Sequence, residues 1–155
     1  MPAYLTSESS TGFGAVLSIG PVVGTATPTY TLIGECSEAS PSGREWGEED
    51  VTNFQSPIDK EYKKTNRDPG KFKLSGNRVA TDAGQIALEA AMDSLSNYMF
   101  KLVFPLSGTQ TVSGDTWTFN AGVMSVDPTS VMPDKVIKFG CDLRLSGSRT
   151  IVAGT

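Results

Sequence analysis

The chain has 155 residues, of which 38% are hydrophobic and 19% charged, which fits one compact domain spanning 1–155 and is too apolar for a disordered polymer. Thirteen basic against seventeen acidic residues give a net charge of −4, which argues against a tight grip on nucleic acid, since that grip needs concentrated phosphate neutralisation. No histidine is present, so imidazole acid–base chemistry and histidine metal ligation are excluded from this chain. The two cysteines, Cys36 and Cys141, cannot supply a four-cysteine zinc site and read as reduced structural thiols, with a single disulfide left open. The N-terminus lacks a secretory pattern and no run reaches the roughly 18 apolar residues of a membrane span, so a soluble product made inside the cell is expected.

Residues 1–23 mix Ser, Thr and Gly with scattered Leu5, Phe13, Val16, Leu17 and Ile19 and show no sustained period. They read as an arm that orders on docking or as a loose terminus. The β-favouring segment Thr29-Tyr30-Thr31-Leu32-Ile33, stopped by Gly34, is the first expected strand.

Charge then changes abruptly. Eighteen of the thirty charged residues fall between positions 35 and 82, including Glu35, Glu38, Arg44, Glu45, Glu48, Glu49 and Asp50 and the mixed run Asp59-Lys60-Glu61-Tyr62-Lys63-Lys64. Pro41-Ser42-Gly43, Ser56-Pro57 and Asp68-Pro69-Gly70 punctuate this stretch and break any continuous helix or central strand. A solvated loop is the plain reading. Its length favours a protruding hairpin or a partner-binding arm, with a disordered insertion as the alternative.

Asp82 is placed as the N-cap of a helix reaching Leu95, with Gln85 positioned to complete a capping box. Leu88, Ala91, Met92 and Leu95 fall at i, i+3, i+4 and i+7 and are expected to face the core, Met92 as ordinary packing, with Glu89 and Asp93 turned away. Beyond the helix the period becomes two. Tyr98, Phe100, Leu102 and Phe104 share one face of a strand ended by Pro105. Trp117, Phe119, Ala121 and Val123 continue one phase and Met124 and Val126 take the other, with Gly122 placed to permit a bulge. Ile137, Phe139, Cys141, Leu143 and Leu145 line the last strand. The expected fold is mainly β, an antiparallel β-sandwich or partly closed barrel with one packed α-helix, whose core includes Leu88, Met92, Leu95, Phe100, Phe104, Trp117, Phe119, Phe139 and Leu143.

Chemistry-bearing patterns are sparse. The pairs Glu48/Glu49, Asp59/Glu61 and Glu89/Asp93 read as surface charge rather than as paired acid–base groups, and no calcium-loop spacing is present. Ser9, Ser10 and Cys36 could act as nucleophiles only with a base that no histidine supplies. The glycines at 12 and 14 and at 20 and 24 lack the spacing and the following Lys of a phosphate loop. Lys63, Lys64, Arg67, Lys71 and Lys73, with Tyr62 and Phe72 nearby, form the best basic patch and would allow loose backbone contacts and base stacking. The interspersed acids make ion exchange between neighbouring subunits the better use of these charges. Catalytic residues, metal and cofactor are therefore not expected.

The order Val51-Thr52-Asn53-Phe54-Gln55-Ser56-Pro57, the charged arm, Phe72-Lys73-Leu74-Ser75-Gly76-Asn77, Asp82-Ala83-Gly84-Gln85 and Tyr98-Met99-Phe100-Lys101-Leu102-Val103-Phe104-Pro105 resembles the major tail tube protein of long-tailed bacteriophages, especially those with flexible, non-contractile tails. The resemblance covers most of the chain. It implies six subunits per ring, rings stacked into a hollow conduit for double-stranded DNA, and a place in the virion tail after assembly in the bacterial host cytoplasm. It further implies tape-measure, tail initiator and tail terminator partners, DNA passing without sequence-specific binding, and residues 48–72 as a loop or hairpin reaching an adjoining subunit or ring. On that reading Trp46, Glu48, Glu49, Asp50, Phe54, Asp59, Lys60, Glu61, Tyr62, Lys63, Lys64 and Arg67 are the candidate intersubunit contacts. Two alternatives stay open. One is the hexameric inner tube of a bacterial contractile injection or secretion system, and the other is a monomeric β-rich binding module using Trp46, Trp117 and surrounding loops to bind a carbohydrate or protein, Trp46 being the better contact because Trp117 falls in the alternating core pattern.

Overall fold

A computed structural model describes residues 11–155, so Ser9, Ser10 and the first ten residues of the 1–23 segment lie outside it. In chain order the elements are β1 (Val16–Val22), β2 (Thr31–Leu32), β3 (Cys36–Ser42), β4 (Glu45–Asp50), β5 (Tyr62–Asp68), β6 (Lys71–Asn77), α1 (Ala83–Met92), β7 (Tyr98–Val103), β8 (Thr116–Ser130) and β9 (Lys138–Val152). Seven strands form one antiparallel sheet in the order β2-β1-β7-β8-β9-β6-β3, while β4 and β5 pair only with each other.

Period-two patterning decides which face is hidden. Phe72 and Leu74 on β6, Phe100 and Leu102 on β7, Phe119, Ala121 and Val123 on β8, and Phe139, Cys141, Leu143 and Leu145 on β9 are all buried in one cluster. Adjacent strands lie about 4.8 Å apart, so a flat sheet would hold β6 and β8 about 10 Å apart across β9. The Phe72 and Phe119 rings nevertheless stack at 5.0 Å between centroids, and Phe119 stacks on Phe100 at 5.7 Å. The sheet is therefore coiled around its apolar face, as the expected sandwich or barrel requires. Phe104 and Trp117 pack edge to face at 4.8 Å at the margin of this core, half-buried.

Several expectations need correction. Val16–Val22, read as part of an unpatterned arm, is a strand that pairs with β7 and buries Leu17, Ser18 and Ile19. Three consecutive buried residues hide the alternation that would have marked it. The first expected strand shrinks to Thr31–Leu32. The phase change expected between Val123 and Met124 is present as one of three register shifts along β8 and β9: Gly122 stays paired with Arg144, and Met124 is the extra residue between the pairs Val123↔Leu143 and Ser125↔Asp142. Met124 is pushed outward and exposed, and Val126 then resumes packing on the core. Ile137 precedes β9 and is exposed.

The helix begins as expected and ends early. An Asp82 carboxylate oxygen accepts the Gln85 N–H at 2.9 Å and also the Gly34 N–H at 3.2 Å. The Gln85 side chain does not return to close a capping box. Instead its amide donates to the Gly34 and Asn77 carbonyls at 3.1 and 2.9 Å and accepts the Val79 N–H at 2.9 Å, which ties the helix start to two loops. A Cβ at Gly84 would strike the Leu32 carbonyl, so this glycine lets the helix lie directly on the β2 backbone. That close approach turns Gly84, Gln85, Leu88 and Ala91 inward. Met92, at the flank of this face, stays 42% exposed, and Leu95, beyond the Asp93 C-cap where helical spacing has ended, is fully exposed. Neither belongs to the core.

Replacing Phe119 with Ala removes the ring shared by both stacks and is expected to cost about 3–5 kcal/mol. Leu95→Ser should leave stability within about 0.5 kcal/mol. Urea unfolding followed by circular dichroism checks both.

A candidate assembly surface

The ladder between β3 and β6 ends at Ser42↔Lys71, and pairing resumes in a separate sheet at Glu45↔Asp68. Two glycines with left-handed backbone mark the break, Gly43 at φ 72° and Gly70 at φ 94°. A Cβ at Gly70 would run into the Ser42 carbonyl, so the close crossing needs a glycine there, while Gly43 is required by its left-handed backbone rather than by space. Asp68 latches the crossing. One carboxylate oxygen accepts the Gly70 N–H at 2.8 Å and the other pairs with the Arg144 guanidinium at 2.7 Å. These contacts, the Gly70 N–H first and Arg144 second, hold the Asp68 carboxyl below the usual carboxylate range.

Beyond the glycines the ribbon leaves the core. Every residue of β4 is exposed, and so is every residue of β5 except Asp68 at its root. The two strands carry opposite charge in register, Glu48 facing Lys64 and Glu49 facing Lys63. Trp46 lies opposite Arg67, with Arg67 and Lys64 at 5.3 and 5.7 Å from its ring centroid. Within the arm only Lys60 and Asp50 approach as an ion pair, at 3.8 Å.

The tip loop, residues 51–61, is braced by its own polar groups. Asp50 accepts the Thr52 N–H at 2.9 Å and also bonds the Thr52 hydroxyl, which in turn accepts the Glu61 N–H at 3.1 Å. Asn53 accepts the Gln55 N–H at 2.9 Å, and the Ser56 hydroxyl accepts the Asn53 N–H at 2.9 Å while donating to Glu61 at 2.7 Å. The Thr52 hydrogen bonds, with a smaller share from Lys60, hold the Asp50 carboxyl low. This scaffold presents Phe54 and Ile58 wholly to solvent, 111% and 105% exposed. Two large apolar side chains on a braced loop are the opposite of what a solvated loop selects.

All twelve candidate contact residues lie on this hairpin. Trp46, Glu48, Glu49 and Asp50 are on β4, Tyr62, Lys63, Lys64 and Arg67 on β5, and Phe54, Asp59, Lys60 and Glu61 on the tip. The hairpin is Glu45–Asp68 rather than 48–72, because Lys71 and Phe72 open a strand of the main sheet. Phe72 is buried and has no free face for a base. Ile58 escaped notice because Pro57 and Asp59 mark its neighbourhood as a turn. Arg149, which lines a cleft with Arg44 and Arg67 at the root of the arm, escaped because it is remote from both in sequence.

Elsewhere the chemistry is quiet. Burial, and then Asp82, pushes the Cys36 thiol up to about 11, and burial, then Asp142 and Cys36, pushes Cys141 up to about 12. Both are free thiols that stay protonated at neutral pH and are poor nucleophiles. Among the described residues no three His, Cys, Asp or Glu side chains are grouped to hold a metal ion. Exposed apolar residues recur on the β8–β9 turn at Val131, Met132 and Val136. Edge strand β3, paired only with β6, carries Pro41, which blunts further pairing.

No family model matches the sequence, and no curated protein does. Solved structures do match. The sheath/tube terminator of an extracellular contractile injection system, PVC, in its extended state, superposes with a TM-score of 0.70 at 9% identity, over 96% of this chain and 100% of that one. The tail of an empty GTA particle gives 0.68 at 13% identity, over 94% and 100%. The SPP1 tail tube gives 0.62 at 16% identity, over 91% and 77%. The likeness is one of fold. This tail-tube-like fold is a mainly β, antiparallel architecture with one packed helix.

Asp68 supplies a pH signature. Its depressed folded pKa means that the latch contributes fully above the unfolded value of about 3.9 and is lost as pH falls through the folded one. Asp68→Asn should therefore lower the melting temperature at pH 7, and the gap to the unmodified chain should close on acidification. Scanning calorimetry between pH 7 and pH 2 checks this.

Proposed function

We propose that this chain is a structural subunit that associates with copies of itself into rings, six to a ring, which stack into a hollow tube. The observation that carries this reading is the arm. It is a two-stranded ribbon exposed on both faces, with a braced apolar tip, standing on a fold shared with chains of phage-type tails and injection systems. An isolated hairpin is marginal in water, so a neighbouring subunit that covers Trp46, Phe54 and Ile58 would stabilise the arm as well as the assembly. The work is mechanical: enclosing a channel and limiting adhesion to what passes.

Two cargoes fit this role. In a phage tail the tube would conduct double-stranded DNA in the virion, with tape-measure, initiator and terminator proteins as partners. In a contractile injection or secretion machine it would be the inner tube carrying protein effectors. The fold match of 0.70 over the whole PVC chain, beside 0.68 over the whole GTA-particle chain and 0.62 over 77% of the SPP1 chain, supports the second reading better than the first.

Electron microscopy and sedimentation velocity over a range of concentrations should reveal rings or tubes, and persistent monomers would reject the reading in favour of a binding module. Gly43 and Gly70 lie close enough for a short turn to replace residues 45–68. That variant should keep its β-rich spectrum and cooperative unfolding but fail to form tubes, and normal assembly would remove the arm from its assigned role. Native particles imaged from the producing cells separate the cargoes, a DNA-bearing capsid on one side and a sheathed particle without one on the other.

A further inference from the structure

We propose that Arg44, Arg67 and Arg149 form a carboxylate-binding site at the root of the arm, and that its occupant is an acidic side chain of β4, Glu48 from one face of the ribbon or Glu49 from the other, of a second copy of this chain. The site is built by β9. Between the pairs Thr118↔Thr150 and Asn120↔Ser146 the β8 strand has one residue and β9 has three, so Gly147, Ser148 and Arg149 are thrown out of the ladder, with Gly147 in the left-handed region at φ 75°. This bulge carries Arg149 to the arm. There Arg44, Arg67 and Arg149 line a single cleft with Pro69, Leu145, Gly147 and Ser148.

The cleft is furnished for an anion and holds no acid of its own. The Arg149 guanidinium lies over Trp117 at 4.0 Å from the ring centroid, and its Nε is sealed from solvent without a hydrogen-bond partner. Arg67 donates to the Ser148 hydroxyl at 3.4 Å while its other side faces Trp46. Among the described residues the ion pairs within 4.0 Å are Lys60–Asp50, Arg78–Glu89 and Arg144–Asp68, so none of the three arginines has a carboxylate. Burial and the two neighbouring guanidiniums disfavour charge on Arg149, the strain that a bound carboxylate relieves. A Cβ built at Gly147 meets nothing within 4 Å, so the approach is open.

Charge complementarity names the occupant. Glu48 and Glu49 are exposed and make no ion pair within 4.0 Å. Glu48 lies four positions along the chain from Arg44, about 13 Å, and stands in register with Lys64 rather than Arg67, so the acids of β4 do not close onto their own root. A polyphosphate is a poorer candidate, because the chain is acidic overall at −4. The acids lie along the arm, whereas the arginines gather at its root from Arg44, β5 and β9. Each copy would therefore pass its acids to the next, a head-to-tail contact that closes a ring or propagates a filament. This pairing rests on the proposed self-association.

Charge reversal tests it on the full chain. One variant carries Arg44→Glu and Arg67→Glu, the other Glu48→Arg and Glu49→Arg. Each alone should raise the concentration needed for assembly at least about tenfold. An equimolar mixture should assemble again, since every contact between alternating copies then joins opposite charges. Variants that assemble as the unmodified chain does, or folded variants whose mixture stays dispersed, overturn the pairing and leave the tube reading standing. An unmodified chain that never assembles overturns both. If the arginine variant unfolds, the exposed Glu48/Glu49 variant decides by itself, and its assembly at ordinary concentration overturns the proposal. An arginine variant that assembles normally but loses retention of duplex DNA overturns it as well.

Discussion

The stack of Phe72, Phe119 and Phe100 holds β6, β7 and β8 in one place although β6 lies two strands away from β8 in the sheet, and the rest of the architecture follows from it. Rings on β6 and β8 can meet across β9 only if the sheet coils, and a coiled sheet has one inside. The long partners β8 and β9 accommodate the bend through their register shifts, which spend single residues such as Met124 on curvature instead of packing. The remaining opening is covered by α1. Its approach depends on Gly84 against the β2 backbone and on Gln85, whose three hydrogen bonds satisfy a polar group that burial would otherwise penalise.

The same constraint explains where the fold stops. The β3–β6 ribbon stays in the sheet while β6 offers Phe72 and Leu74 to the core, and it departs at Gly43 and Gly70, beyond which no residue points into that core. Past this point the arm is held by cross-strand pairing, a capped tip and the Asp68–Arg144 latch. Exposed ion pairs and cation–π contacts contribute little individually, so the arm draws limited stability from its own contacts. Its apolar residues at the tip and its unpaired arginines at the root are the two features that a second molecule could satisfy.

Local chemistry made much of this readable beforehand. Alternation marked β7, β8 and β9 because each has one face in the core and one outside, and Asp82 marked the helix start because its carboxylate caps a free N–H. The arm was visible in the charge map and in the Pro/Gly punctuation, and its contact candidates do share one ribbon. Reading failed where burial was set by neighbours distant in sequence. β1 buries three residues in succession and shows no alternation. Met92 and Leu95 carry helical spacing but lie outside the face that Gly84 brings inward. Phe72 sits among lysines in the sequence and in the core in space.

The sequence by itself determined the periods, the breaks and the separation of charge from core, because these are properties of neighbouring residues and of backbone conformations that glycine and proline restrict or allow. Only the tertiary structure decided the coil of the sheet, the inward face of the helix and the meeting of Arg149 with Arg44 and Arg67. Those depend on strand register between segments far apart in the chain, and on a bulge whose direction is set by the strand beside it.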